Sequence, residues 1–227
     1  MHPSPTPVDL AASAWRFDAE QHRLGAHLGR DALCLCNGIA TLPDAAFTDG
    51  VLEVDLALGP ERSFTGLTWR VLDGESFEEF FLRPHQSGNP DATQYTPVFN
   101  GVSAWQLYHG PRYTVPLEIP VHEWFRLRVA VEGARAEIFV ADLDRPALVV
   151  EELKRPVGAG GVGLMSGEAP GWFSNVAFAA VDPSTPVLRD VPHLAGVVPA
   201  WSVSDPIPES LLGDAAVLDP ALVAART

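Results

Sequence analysis

The stretch from Glu78 to His109 mixes carboxylate, guanidinium, imidazole, amide and aromatic side chains more densely than any other part of the chain. Alternate residues of a strand face the same way, so Glu79, Phe81 and Arg83 share one face of the run 76–83, and Glu78, Phe80 and Leu82 share the other. His85 follows just past Pro84, and an imidazole titrates nearest neutrality of all side chains. With Glu79 or Arg83 as partner it is suited to acid/base work, which makes His85, Glu79 and Arg83 the candidate catalytic residues. Gln94, Tyr95, Asn100, Trp105, Gln106 and Tyr108 follow as candidate ligand-binding residues. Planar amides and guanidinium groups make paired hydrogen bonds to hydroxyls, and an aromatic ring stacks on the apolar face of a sugar. The chemistry fits a small-molecule or oligosaccharide ligand. Packing competes for the same residues. A tryptophan in a strand is more often core than platform, and Asn89-Pro90-Asp91 and Asn100-Gly101 are good turn chemistry without any ligand.

These side chains must be held by strands. Asp73-Gly74-Glu75 joins the runs 65–72 and 76–83 as a hairpin, and Pro84 ends the second run by removing a ladder donor. The polar residues 85–101 read as a long loop, and 104–108 as a strand. Further on, 124–131 and 134–140 form a hairpin about Glu132-Gly133, followed by strands at 147–153 and 172–178. In 51–58, Glu53 and Asp55 alternate with Leu52, Val54 and Leu56, the pattern of a half-buried strand. About ten short strands and no amphipathic helix argue for an all-β sandwich or barrel. The composition changes after Val181, where Pro183, Pro186, Pro192 and Pro199 mark an extended linker. The expected organisation is a sandwich over 1–181 and a linker with a C-terminal strap over 182–227 that packs on it or docks to another chain.

Asp and Glu number 29 against 15 Lys and Arg, a net charge of −14 over 227 residues. Such a surface repels phosphate backbones and anionic headgroups, so neither nucleic acid nor membrane is an expected partner. No run approaches the roughly 20 apolar residues of a membrane span. The opening MHPSPTPVDLAASAW has no basic region followed by an apolar one. A cytoplasmic protein is expected, or a secreted or periplasmic one whose leader has been removed. Composition does not set the oligomeric state. Cys34 and Cys36 share a strand face, which disfavours a bond between them, and two cysteines are too few for zinc. No phosphate-loop, nucleophile-elbow or dinucleotide motif occurs, and no cofactor is expected.

Three segments resemble a known family. Trp124-Phe125-Arg126-Leu127-Arg128-Val129 is similar to a strand of laminin-G-like and related concanavalin A-like domains, and 133–140 to its hairpin partner. Gly161-Val162-Gly163-Leu164-Met165 and Trp172-Phe173-Ser174-Asn175-Val176 resemble the closing strands. The resemblance spans about residues 12–180 and extends to bacterial domains grouped with 3-keto-disaccharide hydrolases and sugar-binding modules. It implies a two-sheet antiparallel jelly-roll sandwich that binds or processes carbohydrate, or alternatively hydrolyses or lyses modified sugars; a third alternative, protein interaction without catalysis, rests on 182–227 as a docking strap. The laminarinase-type pattern E-x-D-x-x-E is incomplete, since Glu53 and Asp55 are followed by Leu56, Ala57 and Leu58. Glycoside hydrolysis normally uses two positioned carboxylates, so glucanase activity of that type is not expected. Relatives often bind calcium, but Asp44, Asp49, Asp142 and Asp144 have no ligand spacing, and Asn175 stands where relatives can carry an acidic ligand.

Overall fold

The computed structural model describes residues 4–181, and the linker and strap expected over 182–227 lie outside that span. The chain runs through β1 (Thr6–Pro7), β2 (Arg16–His27), β3 (Arg30–Phe47), β4 (Asp49–Ala57), β5 (Ser63–Asp73) and β6 (Ser76–Leu82). It continues through β7 (Thr93–Phe99), β8 (Val102–Ser103), β9 (Trp124–Glu132), β10 (Arg135–Val140), β11 (Leu148–Val150), β12 (Gly160–Glu168) and β13 (Gly171–Val181). Every pairing among them is antiparallel.

One long strand makes two layers. In β3, Leu33–Leu35 pairs with β13 and the later part, from Gly38, pairs with β12, while β2 holds the opposite edge. Asn37, at φ 52°, marks the change between the two partners. The strands β12 and β13 therefore diverge along one edge, and the ladder divides. One layer runs β11-β10-β9-β4-β13 and the other β12-β5-β6-β7-β8.

Period-2 alternation supplies the core between the layers. Leu52, Val54 and Leu56 of β4 and Leu127, Val129 and Val131 of β9 face inward, meeting Leu67 and Trp69 of β5 and Phe80 and Leu82 of β6. Burying each large apolar side chain contributes about 1.5–3 kcal/mol. A polar clamp crosses this core. The Tyr95 hydroxyl donates to Glu78 Oε2 at 2.7 Å and accepts from the Lys154 backbone N–H at 2.8 Å. The Arg155 N–H donates to Glu78 Oε1 at 3.0 Å, which ties the segment after β11 to the far layer.

Three sequence expectations change. Residues 93–99, read as part of a polar loop, form β7, buried on both faces from Thr93 to Val98. Threonine, glutamine and proline hide the alternation there, and Pro97 is tolerated because only the two-residue β8 lies beyond. Residues 104–108, read as a strand, are a turn closed by the Leu107 N–H on the Ala104 carbonyl. The strand 51–58 is also buried on both faces, since arginine side chains cover Glu53 and Asp55.

Candidate functional site

The outward side of the second layer carries a groove of about 470 Å³. Register builds its floor: Met165 of β12, Gly66 of β5, Phe81 of β6 and Gln94 of β7 lie in one row across four strands. Thr68, Glu79 and Thr96 form the next row. At Gly66 any Cβ would lie 1.9 Å from the Phe80 carbonyl oxygen, so the row has a gap between Met165 and Phe81. Phe64 and Trp105 complete the apolar lining, and Arg62, Gln86, Asp91 and Ser103 add polar groups beside Glu79, Arg83 and His85.

Glu79 is only 4% exposed, and its Oε1 accepts one hydrogen bond, from Ser103 Oγ at 2.9 Å. Burial disfavours the carboxylate and raises its pKa to about 7, with the Ser103 bond pulling weakly the other way. Such a group can give or take a proton near neutral pH.

Arg83 is 6% exposed and packs over the rings of Phe81 and Phe64, 4.9 and 5.7 Å from their centroids. Its Nη1 donates to the Asp91 backbone carbonyl at 2.7 Å and its Nη2 to Gln94 Oε1. Gln94, 2% exposed, sends its own Nε2 hydrogens to the carbonyls of Trp105 and Tyr108. One amide thus holds both the guanidinium and the turn that presents Trp105.

His85 lies in the 3₁₀ turn Pro84–Gln86, and its Nδ1 accepts the Ser63 backbone N–H at 3.4 Å. The ring proton therefore sits on Nε2. Burial, then the charges of Arg62 and Arg83, lower the pKa of His85 against the opposing pull of Glu168 and Asp91. The imidazole is neutral at pH 7, a donor through Nε2. At the rim, Arg62 Nε bonds both carboxylate oxygens of Glu168 at 2.9 and 2.8 Å.

The structure brings Glu79, Arg83, His85 and Trp105 to one groove, with Trp105 49% exposed. Gln94 is a support behind it. Tyr95, expected as a ligand contact, is instead fully buried, because the parity that turns Gln94 outward turns its neighbour into the core. Asn100 also departs from expectation. It sits at the exposed tip of the β7–β8 hairpin, where φ values of 50° and 76° at Asn100 and Gly101 mark a tight turn. Gln106 is exposed and does not line the groove. Tyr108 is half-buried, edge-on to Tyr113 at 5.3 Å. The His85 partner proposed from sequence also changes, since its hydrogen bond goes to the Ser63 backbone rather than to Glu79 or Arg83. Sequence reading missed Phe64, Met165 and Arg62. The first had a usable signal, since Phe64 shares parity with Gly66 in the partner strand of the hairpin. Met165 comes from β12 and had none.

The E-x-D pair lies on the outer side of the other layer, as ionic packing. Asp55 takes Arg126 Nε at 2.7 Å, Arg30 Nη1 at 2.6 Å and Asn175 Nδ2 at 2.7 Å, and Glu53 takes Arg126 and Arg128. Burial pushes the Asp55 pKa up, but the hydrogen bonds from Arg126 and Asn175 and the charges of Arg126 and Arg30 outweigh it, and the net shift is downward. No group of three or more His, Cys, Asp or Glu side chains among the described residues is arranged to hold a metal.

No family profile and no curated protein sequence matches the chain. Solved structures do. A carbohydrate-binding module from Bacillus subtilis aligns with TM-score 0.53 and 15% identity, over 75% of this chain and 98% of that one. A putative glycosyl hydrolase from Parabacteroides distasonis aligns with TM-score 0.53 and 13% identity, over 75% and 89%. A protein of unknown function with a galectin-like fold, also from Bacillus subtilis, gives TM-score 0.55 and 9% identity, over 78% and 96%. At such identities the likeness is one of fold, and the fold is the concanavalin A-like β-sandwich.

Proposed function

We propose that the groove beside Trp105 binds a saccharide. The observation that carries this reading is the half-exposed Trp105 ring set in one groove with Glu79, Arg83 and the Nε2–H of His85. A sugar stacks its C–H face on the indole while buried polar groups take its hydroxyls. The fold it shares with a carbohydrate-binding module and a putative glycosyl hydrolase supports the same reading as an analogy. Calorimetric screening of a glycan panel against the wild type and Trp105→Ala tests it. Binding that is lost in the variant is the expected result, and equal binding by both proteins removes the site.

A second reading, that the groove also processes its ligand, has one observation in its favour. Glu79 titrates at about 7 in a groove shared with a neutral histidine. Glu79→Gln separates the two readings. A binding site shows no turnover in either form, whereas a processing site turns its sugar over in the wild type and not in the variant.

A further inference from the structure

We propose that the groove selects an acidic sugar, a uronate whose carboxylate pairs with Arg83; this rests on the saccharide reading above and narrows it. The reason is a charge left unmatched. Of the buried arginines, Arg70 is paired with Asp49 at 3.0 Å, and Arg155, whose Nη1 donates to the Val98 carbonyl at 2.7 Å, does not line the groove. Arg83 is as enclosed as they are, yet its two hydrogen bonds go to a backbone carbonyl and a neutral amide. Among the described residues it forms no ion pair within 4.0 Å.

The surrounding charges do not supply the match. Asp91 acts on Arg83 electrostatically but bonds it only through its main chain, and Arg62, the nearby like charge, is already bound to Glu168. Phe64 and Phe81 offer ring faces, which stabilise a cation weakly compared with a carboxylate. A guanidinium has five N–H donors, and the bonds to Asp91 and Gln94 leave others available to a ligand. A buried cation without a partner is costly, and a planar carboxylate entering the groove completes it with two parallel bonds. Long-range forces work against such a ligand, because the chain carries −14. Selection must therefore come from contact with Arg83 and not from steering.

The test is titration calorimetry of the full chain with disaccharides ending in glucuronate, galacturonate or mannuronate, and with the methyl ester of each. The ester keeps the ring and removes the charge. In the wild type the best acid should bind about ten-fold or more tighter than its ester, the scale of one charge-assisted pair. Arg83→Gln should lose that preference and Arg83→Lys keep part of it. Should these variants fail to fold, the wild-type ratio of acid to ester decides alone. Esters or neutral disaccharides binding as well as the acids would overturn the acidic specificity and leave the saccharide reading standing. Failure of every sugar to bind would overturn both.

Discussion

Replacing Glu79 by glutamine should stabilise the protein at pH 8 and leave it nearly unchanged at pH 4. The carboxyl ionises near its ordinary 4.5 in the unfolded chain and at about 7 in the folded one. Between those values the folded state holds the proton more often, so stability falls as pH rises. Below 4.5 both states are protonated and there is no cost; above 7 both are ionised and the full cost applies. At about 1.4 kcal/mol per decade of pKa difference, the burden reaches about 3 kcal/mol. With Glu79 only 4% exposed, little of this is screened by solvent. Glutamine keeps an acceptor for Ser103 Oγ and never ionises. The assay is urea unfolding of wild type and Glu79→Gln at steps from about pH 4 to about pH 8, reading the difference so that other titrations cancel. The gap should open between 4.5 and 7 and then level off. A gap that stays flat across this range, or a variant less stable at every pH, would refute the account of Glu79 as a carboxylate buried at a cost.

Gln94→Ala should destabilise by about 2–3 kcal/mol and speed hydrogen exchange in 104–108, because it frees Arg83 and leaves the Trp105 and Tyr108 carbonyls unpaired. Tyr95→Phe should cost about 1–3 kcal/mol, measured by denaturant unfolding, with ligand affinity unchanged, since it leaves Glu78 Oε2 and the Lys154 N–H without their hydrogen bonds to the hydroxyl. Trp105→Ala, at a half-exposed site, should move stability by no more than about 0.5 kcal/mol while abolishing saccharide binding. Asp55→Asn should lower stability at pH 7. The wild type should lose that same increment on acidification, because the Asp55 pKa lies below its ordinary 3.8 and its stabilisation persists until the folded carboxylate takes up a proton.

Much of this protein was legible along the chain. Turn residues and period-2 alternation located the hairpins 65–72/76–83 and 124–131/134–140, because strand faces and tight turns are local properties. The same parity put Glu79, Phe81 and Arg83 on one face, which is the face that lines the groove. Local reasoning failed where burial comes from both sides. The polar run 93–99 is a strand because β6 and β8 pair with it and its threonines and glutamine find partners, none of which composition reveals. The roles of the candidates were divided the same way. Tyr95 and Asn100 carry suitable chemistry, but register buries one and a hairpin tip carries off the other. Only the tertiary structure could bring Met165 of β12 and Phe64 of β5 beside Arg83, turn the E-x-D pair to the other layer among arginines, and leave Arg83 buried without an ion pair among the described residues. Those are properties of which strands meet, and strand pairing across a hundred residues is set by the packing of the whole core rather than by any stretch of sequence.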